Sequence, residues 1–349
     1  MTPPDRAPIE QAEERETVEL GAAERRGGLR SLTAATSTWL FLVLLVIIGI
    51  FSALDFDAFA SVFNLRNIMI DASGLLIIAV GMTFVIITAG IDLSVGSVLV
   101  FSSVVGAMVM RAMGGGGLDA ILVGLASALA AGLGWGLVNG LLIARTRIPA
   151  LIVTLGTLGM AQGSALLLAG GINVRQVPRE LVTTVGIGRL FDQIPYLVLI
   201  AAGITILGGV LLHGTRFGRH TYAIGSNAEA SRRAGINVSR HLIKVYALAG
   251  LLAGVAGYLS LARFTATTIE GHGTDNLQAI AAVVIGGTSL FGGRGALFGT
   301  VVGVFIPAIL RNGFIILGVQ PFWQQVAVGA VLIAAVYVDQ LKRRARERA

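Results

Sequence analysis

The residues best suited to binding chemistry lie in one polar interval, 214–244, which interrupts an otherwise apolar chain. Ser226 and Glu229 have the spacing of a capping box, in which a serine hydroxyl accepts an early helix N–H and a glutamate reaches back to the cap. Gly235 can adopt the left-handed conformation that ends a helix. The spacing therefore predicts a two-turn helix over about 227–234.

This short helix would offer a binding surface. Ala230 and Ala234 lie one turn apart on one face, which is small and smooth enough to press against a protein partner. Arg232 and Arg233 fall in the last turn, where positive charge suits the helix dipole. The alternative is a solvated loop between two helices. The residues that we assign to contact with a soluble partner are Gly225, Ser226, Asn227, Glu229, Ala230, Arg233 and Gly235.

Enzyme chemistry has no candidate residues in this chain. A nucleotide-binding P-loop needs a lysine followed by Ser or Thr, whereas Lys244 precedes Val and Lys342 precedes Arg. The four histidines stand apart from carboxylate clusters, so we predict no metal site and no bound cofactor. Cysteine is absent, which excludes disulfides and thiolate ligands. Any ATP and magnesium chemistry must therefore belong to another chain.

Two glycine-containing breaks interrupt the apolar segments. The first, around residues 90–97, includes the cap-type residues Asp92 and Ser94. The second, 286–295, is rich in glycine. Paired interruptions indicate the translocation path of a transporter, whereas close helix packing is the alternative. The candidate path residues are Gly90, Asp92, Ser94, Gly96, Gly286, Gly287, Thr288, Gly292 and Gly293.

Polar residues within apolar spans are rare and are functional candidates. For Asp92 we favour a structural role, in which the carboxylate accepts backbone N–H groups at a helix start, over a direct contact with solute or a proton. Asp71 is predicted to extend to the outer surface, and Asn139 to hydrogen-bond across helices. Thr154 and Thr157 could offer hydroxyls to a sugar-like solute, but such hydroxyls more often bond to their own helix.

Membrane helices are the elements that must position these residues. Of 349 residues, 55% are hydrophobic and 13% charged, which is typical of a polytopic membrane protein. A crossing takes about 20 apolar residues, so the apolar runs predict an all-α fold of about ten spans, some of them discontinuous. The runs are 37–54, 69–88, 95–110, 118–143, 148–168, 196–212, 242–261, 277–285, 296–316 and 322–338. The glycines predicted to serve close helix packing are Gly132, Gly134, Gly136 and Gly140.

The distribution of positive charge predicts the side on which each loop lies. With both termini cytoplasmic, most of the 26 Lys and Arg residues fall on cytoplasmic segments, including 214–241. We divide the chain into a disordered cytoplasmic tail at 1–34, a transmembrane domain at 35–340 and a basic tail at 341–349. The basic residues flank spans and would face the lipid bilayer, so the net charge of +7 indicates membrane contact rather than nucleic-acid binding.

Three motifs occur in the order that one transporter family shows. They read GMTFVIITAGIDLSVGSV at 81–98, AIGSNAEASRRAGIN at 223–237 and AIAAVVIGGTSLFGGRGALFGT at 279–300. Over about 64–338 the chain resembles the ribose/xylose-type monosaccharide permeases of bacterial ABC importers. Where many members have Glu-Leu-Asp, this chain has Asn276-Leu277-Gln278. The resemblance implies a type II-like ABC importer permease of the plasma (inner) membrane.

The resemblance also implies the function and partners of the chain. It implies a transport subunit without enzyme activity, paired with a second permease copy, most simply in a homodimer. A cytoplasmic ABC ATPase would hold ATP and magnesium, and a periplasmic sugar-binding protein would deliver a monosaccharide or small polyol. In such permeases the loop matching 218–237 carries the coupling helix that inserts into the ATPase. The alternatives are a branched-chain amino-acid permease, a secondary sugar carrier and a non-transport scaffold; intramembrane charges for ion coupling are scarce here.

Overall fold

The computed structural model describes residues 40–146, 148–175 and 177–320, together with positions 322, 323, 326, 329, 330, 333 and 337. The tails predicted at 1–34 and 341–349 lie outside the described residues, as does most of the tenth predicted span. The cytoplasmic location of both termini therefore rests on the charge distribution and stays a prediction.

Helices dominate the described part of the chain. They are α1 (Leu40–Leu54), α2 (Phe56–Phe59), α3 (Val62–Ile87), α4 (Val95–Ala112), α5 (Gly117–Thr146), α6 (Ala150–Ala169), α7 (Arg179–Leu181), α8 (Tyr196–Gly214), α9 (Arg216–Ser226), α10 (Ala228–Arg233), α11 (Val238–Phe264), α12 (Asp275–Ile285) and α13 (Leu297–Ile316). A π-helical turn (Val182–Gly186) and an antiparallel hairpin of β1 (Arg189–Leu190) and β2 (Ile194–Pro195) join α7 to α8. Among the described residues, this hairpin is the departure from the all-α prediction.

Seven of these helices are long and apolar enough to cross a membrane: α3, α4, α5, α6, α8, α11 and α13. Each coincides with a predicted span. The shorter apolar helices α1 and α12 lie at two further predicted spans, and α12 has 11 residues, as its short apolar run predicts. The described residues thus contain seven candidate spans, against the ten predicted from the whole chain.

The helices α3 and α11 form the centre of the molecule. Their most apolar stretches are 78% buried, whereas those of α5 and α8 are 22% buried. Met82 and Phe84 of α3 and Tyr246 of α11 are buried almost completely, so these two helices pack against protein along most of their length. The outward faces of α5 and α8 stay apolar because lipid tails are as apolar as leucine.

Glycines let α5 and α11 cross with almost no side chains between them. A Cβ at Gly132 would lie 2.8 Å from the Gly254 Cα, and such close approach gives membrane helices extensive van der Waals contact. The predicted packing role is confirmed at Gly132, Gly136 and Gly140. Gly134 takes no part in this crossing, because an added Cβ there would have no described atom within 4 Å. Two residues along a helix turn the side chain by about 200°, which carries Gly134 away from the crossing.

Adding one methyl group should therefore have different consequences at two glycines of α5. Gly132→Ala forces a Cβ into the backbone of α11 and should lower the free energy of unfolding by about 1–3 kcal/mol, as overpacking does in other proteins. Gly134→Ala is the matched control, because its Cβ meets open space. Thermal unfolding in detergent should show a lower midpoint for Gly132→Ala; equal midpoints would contradict the close crossing.

Candidate functional site

The first break, residues 88–94, separates α3 from α4. Its chain reverses at Ala89, whose φ of 60° lies in the left-handed region. Thr88 closes the end of α3 by donating its hydroxyl to the Val85 carbonyl at 2.7 Å. An added Cβ at Gly90 would overlap the hydroxyl of Tyr246. The first break is therefore a tight turn, poor in side chains, that packs against α11.

A chain of hydrogen bonds holds the second half of the first break. Thr157 of α6 donates its hydroxyl to Asn139 Oδ1 at 2.7 Å, and Asn139 Nδ2 donates to Ser94 Oγ at 2.8 Å. Asp92 Oδ1 accepts the Ser94 hydroxyl at 2.6 Å and the Ser94 N–H at 2.8 Å. The Thr154 hydroxyl donates to its own helix, to the Ala150 carbonyl at 2.9 Å, and also lies 3.3 Å from the Ile91 carbonyl of the first break. The buried Asp92 carboxylate thus accepts the last bond of this series of hydrogen bonds. It fixes the turn before α4, which is the structural role favoured from the sequence.

The second break, residues 286–296, separates α12 from α13. Gly287, Gly292 and Gly293 have φ values of +88°, +81° and +70°, which glycine adopts without steric cost. An added Cβ at Gly286 would lie 2.7 Å from a backbone nitrogen of α13. The buried Thr288 hydroxyl has no hydrogen-bond partner among the described residues. Glycine is therefore needed here both for chain reversal and for close packing.

The polar interval folds as two short helices, α9 and α10, which together we call the arm. Asn227 lies between them and caps α10, because its backbone is extended and its Oδ1 accepts the Ala230 N–H at 2.9 Å. The capping box predicted for Ser226 and Glu229 is wrong. Ser226 is the last residue of α9, so its backbone is helical, whereas an N-cap residue needs a non-helical backbone.

The second helix of the arm presents most of its surface to solvent. Among its six residues, Ser231 is buried. Glu229 pairs with Arg232 at 2.7 Å and with Arg233 at 3.3 Å instead of reaching back to the cap. Gly235 follows with a φ of +85° and ends the helix. The exposed residues of α10 and its end are Ala228, Glu229, Ala230, Arg232, Arg233 and Ala234.

The arm meets the end of α3 and the second break at one point, which we call the joint and define by Ile87, Gly225 and Gly293. An added Cβ at Gly225 would overlap the Ile87 carbonyl oxygen and lie 2.6 Å from the Gly293 N. Gly293 donates its N–H to the same carbonyl at 2.9 Å. Beside the joint, Tyr222 donates its hydroxyl to the Gly295 carbonyl at 2.7 Å. Burial raises the pKa of Tyr222 to about 12, so this donor stays protonated.

Of the predicted break residues, Gly292 and Gly293 lie at the joint. An added Cβ at Gly292 would lie 2.9 Å from the Ala89 N and 2.8 Å from the Gly225 carbonyl oxygen. The two breaks and the arm therefore share one contact. Gly96 lies elsewhere, in the first turn of α4, where an added Cβ would lie 2.6 Å from the His272 carbonyl oxygen.

Comparison with known proteins shows the class of molecule to which this geometry belongs. The family model described as branched-chain amino acid transport system / permease component matches residues 64–336. The ribose import permease of Escherichia coli strain K12 is 39% identical over 317 residues, which are 88% of this chain and 96% of that protein. The chain belongs to this permease family.

Two further relatives of the permease have other sugars in their names. The D-allose transport system permease of Escherichia coli strain K12 is 34% identical, covering 86% of this chain and 90% of that protein. The galactose/methyl galactoside import permease of Haemophilus influenzae is also 34% identical, with coverages of 87% and 94%. These findings confirm the resemblance to monosaccharide ABC importer permeases, which are multi-pass proteins of the bacterial inner membrane. No solved structure matches the permease.

Sequence reasoning missed two polar pairs that lie away from the joint, one of them on α3. Asp71 pairs with Arg263 of α11 rather than extending to the surface alone. Arg311 of α13 donates to Gln278 Oε1 of α12 at 2.7 Å. Each pair contains an ionisable residue within an apolar run, which could have marked it as unusual in the sequence. The partners could not be matched, because they are 192 and 33 residues apart. Within the described residues, no cluster of three His, Asp or Glu side chains could hold a metal ion.

The hydrogen bonds that Asp92 accepts from Ser94 allow the structural role of Asp92 to be tested. In Asp92→Asn the amide oxygen can still accept both bonds from Ser94, so stability should fall little. Asp92→Ala leaves the buried Ser94 donors without their acceptor, which costs about 1–3 kcal/mol. The thermal unfolding midpoint in detergent should therefore drop much further for Asp92→Ala. Equal drops would show that the negative charge itself is required.

Proposed function

We propose that the permease is the membrane-spanning subunit of an ATP-driven ABC importer for a monosaccharide or a related small polyol. The observation that carries this proposal is the likeness, over 86–88% of the chain, to proteins named as ribose, allose and galactose permeases. Branched-chain amino acids, which the family description names, are the alternative solutes. We favour sugars because each of the relatives described above carries a sugar in its name.

The energy and the solute would both come through partner proteins. Neither lysine of the permease lies in a P-loop, so ATP and magnesium would bind to a cytoplasmic ATPase. A periplasmic binding protein would deliver the sugar, and a second permease copy, most simply identical, would complete the transporter. The basic loops around 214–241 favour a cytoplasmic position for the arm.

We assign the ATPase contact to α10. Its alanines and arginines are exposed, and a helix with a small apolar face can lie in a groove of a partner protein. Ala230 and Ala234 would supply the close contact, while Arg232 and Arg233 would meet acidic groups at its edge. The pairs that both arginines make with Glu229 are solvent-exposed and therefore weak enough to exchange for partner contacts.

Movement of the arm would reach the membrane helices through the joint. When ATP closes the two ATPase domains, their grooves would carry the two α10 helices toward each other. Because Gly225 contacts Ile87 and Gly293 without an intervening side chain, the arm would displace α3 and the second break together. Tilting of these helices would switch access from one side of the membrane to the other. The ATPase supplies the free energy, and the permease supplies two packings with different affinity for its partners.

Reconstitution tests this proposal directly. The permease is placed in proteoliposomes with the ATPase and binding protein that co-purify with it, and uptake of labelled D-ribose, D-allose, D-galactose and L-leucine is measured. We expect at least one sugar to accumulate with ATP and the ATPase present, and L-leucine to stay outside. Uptake of L-leucine alone would favour an amino-acid permease, and sugar uptake without the ATPase would indicate a secondary carrier.

The variant Ala230→Glu tests the role of α10 in the same vesicles. A larger, charged side chain on the alanine face should weaken the ATPase contact, and a loss of about 1.4 kcal/mol would lower its affinity about tenfold. Sugar-stimulated ATP hydrolysis and uptake should therefore fall together. Arg240→Gln is the control, since Arg240 is equally exposed but lies in α11. Normal hydrolysis and uptake in Ala230→Glu would contradict a coupling role for α10.

A further inference from the structure

A cavity of about 360 Å³ lies beside the middle of α3, at residues 70–75. It is enclosed mainly by α3, α11, α12 and α13, and Asp71 stands in its wall. From Asp71 to Ile87, α3 spans about 24 Å at about 1.5 Å per residue. The cavity and the arm therefore lie well apart along α3 and are connected by the same helices.

Three hydrogen-bonded pairs line this cavity. They are Asp71 with Arg263, Gln278 with Arg311, and His272 with Asp275. The two carboxylates balance the two guanidinium groups, so the wall is polar without a large excess of either charge. Ionisable side chains within a membrane domain are costly and mark functional positions. Because a guanidinium has five N–H donors, Arg263 and Arg311 can each bond a ligand while keeping their present partners.

The rest of the cavity wall is largely apolar. Thr268 also lines the cavity, but its hydroxyl oxygen is fully buried and does not face the open space. Apolar side chains, including Leu99 and Leu259, complete the wall.

We propose that this cavity binds one monosaccharide molecule within a single permease. The inference rests on the proposed function and extends it from the class of solute to the residues that contact it. A sugar ring carries many hydroxyls and no charge, so it needs donors and acceptors in balance together with apolar surface for its C–H groups. The cavity combines both. Arg263, Gln278 and Arg311 contact the sugar hydroxyls.

A single cysteine at Gly74 can report whether sugar enters the cavity. Gly74 lines the cavity, and an added Cβ would have no described atom within 4 Å. The natural chain has no cysteine, so Gly74→Cys carries the permease's one thiol. Its modification by a small methanethiosulfonate reagent is timed in proteoliposomes of the whole transporter without ATP. D-ribose, D-allose or D-galactose should slow the reaction, and L-leucine should leave its rate unchanged.

The matched control is Gly116→Cys in the exposed loop between α4 and α5, where an added Cβ is equally unobstructed and does not line the cavity. Sugar should not change its modification rate. The proposal is overturned if none of the three sugars protects Gly74→Cys, if L-leucine protects it instead, or if protection is equal at position 116. Because this readout needs no ATP, it is independent of the coupling mechanism.

Filling the cavity gives a second test that does not depend on a reagent. Gly74→Phe should occupy the space that the sugar needs, so ATP-dependent sugar uptake should be lost, whereas Gly203→Phe in α8, which is equally open but does not line the cavity, should retain it. If the native transporter imports sugar and Gly74→Phe imports it equally well, the cavity is not the sugar site. If the native transporter imports none of the three sugars, the proposed function itself fails.

Discussion

Backbone packs directly against backbone at the joint, and the proposed transport mechanism depends on this contact. The C-terminal carbonyls of a helix lack partners within the helix; at the end of α3, the Ile87 carbonyl accepts the Gly293 N–H at 2.9 Å. Gly225 packs on the same carbonyl with no room for a Cβ. No side-chain rotation can therefore take up a shift of the arm. The arm, the end of α3 and the second break are expected to move as one body.

The helices that leave the joint also form the sugar cavity. The central helix α3 is 78% buried over its most apolar stretch and carries Ile87 at its end and Asp71 about 24 Å away along the helix. The second break joins α12 to α13, and these two helices supply Gln278 and Arg311 to the cavity wall. Protein interiors are close-packed and transmit displacement. Movement at the arm can thus change the shape of the cavity without any direct contact between them.

Local features of the sequence predict much of this structure. The apolar runs predict the spans, and the clustered glycines predict both breaks. These features can be predicted because each one depends on residues that are neighbours in the chain. The cap of α10 is misplaced by one residue, since the packing that lets α9 continue through Ser226 involves Ile87 and Gly293, far away in sequence. The cavity could not be predicted for the same reason, because Asp71 and Arg263 are 192 residues apart. The hydropathy of the sequence identifies Asp71 and Arg263 as unusual residues, but it does not show that they contact each other.

A disulfide across the joint tests whether the arm and the second break move together. The Ser226 Cβ lies 3.2 Å from the position of a Cβ at Gly293, somewhat less than the separation of about 3.5–4.5 Å in disulfides, and the natural chain has no cysteine to interfere. A side chain at position 293 strains the left-handed backbone in both redox forms, so the oxidised variant is compared with the same variant reduced. The measurement is ATP-dependent sugar uptake by the Ser226→Cys/Gly293→Cys transporter before and after oxidation, with disulfide formation followed by thiol titration. We expect equal uptake by the oxidised and reduced forms. Uptake that stops on oxidation and returns on reduction would contradict movement as one body.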